Sequence, residues 1–157
     1  MEVLKPFYRS AFMDKVQTAV ELFESGYSCS QSVAAAFAED FGLSKTDILK
    51  IAAGLGGGLR MGSTCGALVG AFMILGLKFG ATDPTDKESK GNTYQMVELA
   101  AKEFRQKFST TSCQDLIGFN LGTPDAPIKA KQPGAFDKCP EYVAVAAEIV
   151  EQILDSK

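Results

Sequence analysis

AAGLGGGLRMGSTCGALVGAFMILGLKFG, residues 52–80, decides how the rest of the chain is read. Five glycines fall between Gly54 and Gly62, and an apolar run follows at 67–77. That run is too short to cross a bilayer and is interrupted by Gly70 and Gly76, so it reads as a buried helix. Leu68, Phe72, Leu75 and Phe79 make one face. Gly66, Ala67, Gly70 and Ala71 leave another face almost bare, where a neighbour can approach closely. Ser63 or Thr64 is the expected cap, with Cys65 in the first turn.

Helical patterns extend on both sides of this stretch. Phe12, Val16, Val20 and Phe23 recur at helical spacing over 10–24. Ser28 caps a helix opening at Cys29 and burying Val33, Ala36 and Phe37, and Ser44 caps a short one carrying Ile48, Leu49 and Ala52. Downstream, 81–92 reads as a polar surface loop. A helix over 93–108 follows, with Val97, Ala100, Ala101, Phe104 and Phe108 as its stripe. Thr111 or Ser112 caps a short helix near Cys113, and 118–138 reads as a long irregular loop rich in glycine and proline. Pro140 suits the first position of a last helix with Val143, Ala146, Ile149, Val150 and Ile153 inward. No segment alternates convincingly as a strand. The expected architecture is all-α, a compact bundle of about six or seven helices in a single domain, 1–157, with its cysteines at helix N-termini. Phe12, Val16, Val20, Val33, Phe37, Leu68, Phe72, Val97, Phe104, Val143 and Val150 are the expected core.

Composition limits the functions. Hydrophobic residues are 46% and charged residues 22% of the chain, as in ordinary globular proteins. The net charge of −3, with Lys and Arg scattered, offers no basic stripe for a phosphate backbone, so nucleic-acid binding is not expected. Nor is a membrane span. The opening MEVLKPFYRSAFMDK has no apolar run before a small-residue cleavage site, so no signal peptide is expected and the cytoplasm is the expected location. A homodimer could form through the Ala- and Gly-faced helices.

Chemistry points to sulfur. The chain has four cysteines and no histidine, which removes Ser-His-Asp and Cys-His catalysis and mixed Cys/His zinc sites. There is no C-x-x-C, hence no zinc knuckle and no thioredoxin-like pair. Cys29, Cys65, Cys113 and Cys139 each stand where a helix begins, and the unpaired N–H groups and positive dipole end there favour a thiolate. Metal ligation, thiol–disulfide exchange and inert buried thiols all fit this pattern. Gly57, Gly58 and Gly66 would let backbone close on a cysteine-ligated group, and plain helix-capping and chain reversal account equally well for the glycine-rich segment. Arg60 and Lys138 are the cations nearest in sequence, able to offset thiolate or cluster charge. Tyr27 and Tyr142 stand beside cysteines and could shield a site from water.

The run CGALVG at Cys65, with one cysteine upstream and two downstream, resembles the CGAxxG-motif family of putative redox-active proteins (C_GCAxxG_C_C). Cys29, Cys65, Cys113 and Cys139 fall on the family's four cysteine positions, and Gly66, Ala67 and Gly70 on the rest of the motif. The resemblance covers about 15–150 and implies redox activity. The chain is also similar to part of the split-Soret cytochromes, haem proteins with an additional cysteine-bound iron–sulfur site. Their haem part does not carry over to a chain without histidine or a haem-attachment motif. What the resemblance implies is an iron–sulfur cluster held by three or four of the cysteines, transferring electrons with a redox partner protein. A metal-free thiol–disulfide protein and a structural zinc–thiolate module remain the alternatives.

Overall fold

The chain is seen in a computed structural model that describes residues 15–156. The expectation of a helix over 10–24 is met from residue 15 (α1, 15–24), while Phe12 lies outside the described residues. Then come α2 (Cys29–Phe37), a 3-10 turn (Ala38–Phe41), α3 (Lys45–Ala52), α4 (Gly66–Phe79), α5 (Lys87–Phe108), α6 (Cys113–Ile117), α7 (Ala126–Ala130) and α8 (Cys139–Ser156). The described residues contain no strand, so the fold is all-α, as expected. Among them, no helix is long and apolar enough to cross a membrane.

The apolar stretch around which the fold was read is the central helix. α4 packs against α2, α5 and α8. Ala67, Leu68, Ala71, Ile74 and Leu75 are all buried. Val33, Phe37, Phe104, Val143 and Val150 are fully or almost fully buried around it, and Val16 of α1 is also in the core. Val20, Phe72 and Val97 are only half-buried, against expectation. In α5 the inward row is Met96, Ala100 and Phe104, at i, i+4 and i+8, which leaves Val97 on its shoulder. In α4 almost every side chain is apolar, so periodicity could not say which face looks inward. At the far end of α2, Lys15 Nζ donates to the Ala36 carbonyl at 3.1 Å and pairs with Asp40 at 2.8 Å.

Three boundaries differ from the sequence expectation. α5 starts at Lys87, inside the stretch read as loop, because Asp86 accepts from the Ser89 N–H and caps it. Cys65 is the N-cap of α4 rather than a residue of its first turn. The irregular segment 118–138 contains the one-turn helix α7, with Pro127 in its first turn.

Candidate functional site

Each cysteine stands at the start of a helix. Ser28 caps α2 through a reciprocal pair: its hydroxyl accepts from the Gln31 N–H at 3.3 Å, and Gln31 Oε1 accepts from the Ser28 N–H at 3.0 Å. Cys29 is thereby held in the first turn. The same end of α2 is tied to the end of α3. Ser30, fully buried, donates to the Ala52 carbonyl at 2.9 Å, and Gln31 Nε2 donates to the Leu49 carbonyl at 2.9 Å. The CGAxxG glycines let α4 lie against this knot. A Cβ at Gly66 would collide with Cys29 Sγ, and one at Gly70 would stand 2.7 Å from the Ser30 carbonyl oxygen.

Cys65 and Cys113 are joined through backbone. An isolated antiparallel bridge pairs Thr64 with Ser112. In it the Cys65 N–H donates to the Thr111 carbonyl at 2.7 Å and the Cys113 N–H to the Ser63 carbonyl at 2.6 Å. Ser112 caps α6 by accepting from the Asp115 N–H, and its hydroxyl donates to the Gly62 carbonyl at 3.2 Å. Cys139 opens α8, with its N–H on the Phe136 carbonyl at 3.0 Å.

Between α3 and α4 the chain makes a left-handed turn. Gly57, Gly58, Leu59 and Arg60 all have positive φ, at 66°, 64°, 60° and 60°. Glycine adopts this region freely, but for Leu59 and Arg60 it costs about 1–2 kcal/mol each. Such strain persists where neighbours over-determine the backbone. The Ser63 N–H closes the turn on the Gly58 carbonyl at 2.9 Å. Gly58 lies so close to Cys113 that an added Cβ would stand 2.7 Å from the Cys113 Cβ. Gly57 faces Leu121 and the Arg60 guanidinium.

The four cysteines line one cavity of about 360 Å³. Gly57, Arg60 and Gly66 line it too, and Gly58 abuts it through Cys113. Phe23, Tyr27, Leu116, Leu121, Phe136 and Tyr142 make the remaining wall largely apolar. Cys65 and Cys113 are buried, Cys29 and Cys139 half-buried, and all four are free thiols. Tyr142 is buried, its hydroxyl donating to the Leu116 carbonyl at 3.2 Å and its ring edge-on to Phe108 at 4.8 Å between centroids. Sequence proximity misjudged one cation: Lys138 is exposed and does not line the cavity. It also missed Leu121 and Phe136, which reach the cavity from the segment read as irregular loop.

At Cys65, Cys113 and Cys139 the electrostatics run against the expectation that helix starts favour thiolates. Burial pushes the Cys65 thiol well up, and the neighbouring Cys29 adds to this, although the Ala67 and Leu68 N–H groups pull the other way. Cys113 is pushed up to about 11 by burial and Cys29, with Arg60 opposing. Cys139 is pushed up to about 12 by burial, Cys29 and Cys113. Burial is the largest cause at all three, and repulsion between the sulfurs adds to it. Such thiols ionise readily only when a cation shares the cavity, as a thiolate-bound metal does. Sulfur donors in an apolar wall match soft metal chemistry. Among the described residues, no group of three or more Cys, Asp or Glu side chains is gathered closely enough to hold a metal ion.

No curated protein and no solved structure matches the chain. The family described as Putative redox-active protein (C_GCAxxG_C_C) matches residues 27–153, which include all four cysteines and the left-handed turn, and the chain belongs to that family.

Proposed function

We propose that this protein transfers electrons through an iron–sulfur cluster ligated by Cys29, Cys65, Cys113 and Cys139. One observation carries the reading: four thiols from four separate helix starts face one largely apolar cavity of about 360 Å³. The cluster would supply one-electron chemistry at a potential set by its surroundings. The protein's own part is to hold and insulate. Gly66 and Gly70 bring α4 onto the start of α2, which sets the place of Cys29 relative to Cys65. The Thr64–Ser112 bridge sets Cys65 relative to Cys113. Arg60 puts positive charge beside Cys113. Tyr27, Leu121, Phe136 and Tyr142 limit water at the sulfurs, and a redox partner protein would dock near the cavity mouth.

The test is anaerobic purification and reconstitution with iron and sulfide, followed by absorption spectroscopy and quantification of iron, zinc and acid-labile sulfide. Iron with sulfide and a visible charge-transfer band is the expected result. Cys→Ser at each of the four positions should lower the iron content. Stoichiometric zinc without iron would replace this reading with a structural module. Metal-free protein with reversible thiol loss would replace it with disulfide exchange.

A further inference from the structure

The segment 118–138 crosses the cavity between two of its cysteines. It leaves α6, which opens at Cys113, and runs to α8, which opens at Cys139. On the way it places Leu121 and Phe136 in the cavity wall. Apart from bonds to its immediate flanks, 119–137 is held to the rest of the described chain by two hydrogen bonds, both exposed. Asn120 Nδ2 donates to the Met61 carbonyl at 2.9 Å, and an Arg60 guanidinium nitrogen donates to the Leu121 carbonyl at 3.2 Å. Every other hydrogen bond of the segment is internal or to its flanks, as in the Thr123–Asp125 and Lys129–Asp125 pairs.

Both attachments are to the left-handed turn, and they meet at one place. Asn120 Oδ1 accepts from the Gly122 N–H at 2.7 Å while its amide nitrogen holds Met61, so one side chain sets the bend of the segment and fastens it. Gly122 lies flat on the Arg60 carbonyl, where a Cβ would collide. A Cβ at Gly62 would stand 2.9 Å from the Asn120 side chain. A long segment held by few, solvent-exposed hydrogen bonds is the kind that opens locally at low free energy. Its apolar attachment is modest: Phe119 and Ala126 are buried and Leu121 half-buried, but Phe136 is 36% exposed and Ile128 68% exposed.

We infer that 118–138 is a strap gating the cysteine cavity, and that Asn120 is the positioning residue that latches it to the left-handed turn. Opening the latch exposes the wall formed by Leu121 and Phe136 and gives reagents access to Cys113 and Cys139, while the α2–α4–α5–α8 core stays packed. The inference rests on the cavity being the redox site, but its test uses reduced, metal-free protein and therefore does not depend on which group the thiols hold.

The experiment times alkylation of each cysteine by a small maleimide, read by peptide mass spectrometry, beside limited trypsin cleavage after Lys129 and Lys131. Asn120→Ala should speed labelling of Cys113 and Cys139 and cleavage of the strap by about tenfold, the effect of losing about 1.4 kcal/mol of latch. Asn120→Asp keeps an acceptor for Gly122 but loses the donor to Met61, and should fall between. Gly122→Ala unseats the strap at the neighbouring Arg60 carbonyl and should reproduce the acceleration even if the Asn120 variants fold poorly. Ser44→Ala, which removes the distant cap of α3, serves as the control for general destabilisation. Unchanged labelling in Asn120→Ala and Gly122→Ala would overturn the gate. Equal acceleration in Ser44→Ala would overturn it too, since the opening would then be global.

Discussion

Gly70 and Gly76 lie on the same helix and should respond in opposite ways to the same substitution. In both places alanine gains about 1 kcal/mol of helix propensity over glycine. At Gly76 an added Cβ meets nothing within 4 Å, so Gly76→Ala should keep that gain. At Gly70 it would stand 2.7 Å from the Ser30 carbonyl oxygen, 3.0 Å from Val33 Cβ and 3.3 Å from the Ala34 nitrogen. The first and last of these are helix backbone and cannot turn aside, so α2 and α4 must move apart. Overpacking of this kind costs about 1–3 kcal/mol. Gly70→Ala should therefore be less stable than the wild type by about 1 kcal/mol, leaving the two variants about 2 kcal/mol apart. For a domain of this size that is a separation of about 4–8 °C in Tm. Thermal unfolding of reduced, metal-free protein followed by far-ultraviolet circular dichroism measures it directly. If Gly70→Ala melts level with Gly76→Ala, above the wild type, the close contact between α2 and α4 is not there. The CGAxxG spacing would then need another explanation.

Three further outcomes follow from local geometry. Ser109 ends α5 with φ of 68°, so Ser109→Gly should raise stability by about 1 kcal/mol in urea unfolding. The Asp86 carboxyl is held below its usual range by the Ser89 N–H, so its capping contribution is present above the unfolded pKa near 4 and fades as pH falls through the lower folded value. Asp86→Ala should thus lower Tm at pH 7 and converge on the wild type in acid, whereas Asp86→Asn should lose less. Glu151 shows the opposite sign: burial and the nearby Asp155 raise its carboxyl, so a destabilising contribution grows as pH rises past the unfolded value and is complete above the raised folded one. Glu151→Gln should raise Tm at pH 7 and leave it unchanged near pH 3.

Much of the bundle was legible because its signals are local. Ser28, Ser44 and Ser112 each stand before a helical stripe, and each proves to be a cap. The helix-start placement of Cys29, Cys113 and Cys139 follows from Ser28, Ser112 and Pro140. What stayed hidden depends on distant partners. Nothing in LGGGLRMG says that Leu59 and Arg60 adopt left-handed backbone, since that conformation is held by Asn120 and Gly122 from about sixty residues away. The pairing of Thr64 with Ser112 is one bridge without alternating strands around it. Arg60 and Lys138 were equally good cations by sequence proximity, and only the fold puts Arg60 on the cavity and Lys138 outside it. The thiol electrostatics were misjudged because a dipole can be read from a helix start, whereas desolvation depends on what the other helices bring over it.

The bridge between Thr64 and Ser112 also bears on what would happen if the proposed cluster left the cavity. Two of the four sulfurs are kept in register by peptide hydrogen bonds that involve no sulfur at all. In a zinc finger the ligands are scattered until the metal arrives, and stripping the metal dissolves the domain. If the four cysteines hold the proposed cluster, half of the ligand set would be a fixture of the scaffold, and loss of the cluster and collapse of the fold would be separate events. On that reading the scaffold would be a socket that survives being unplugged.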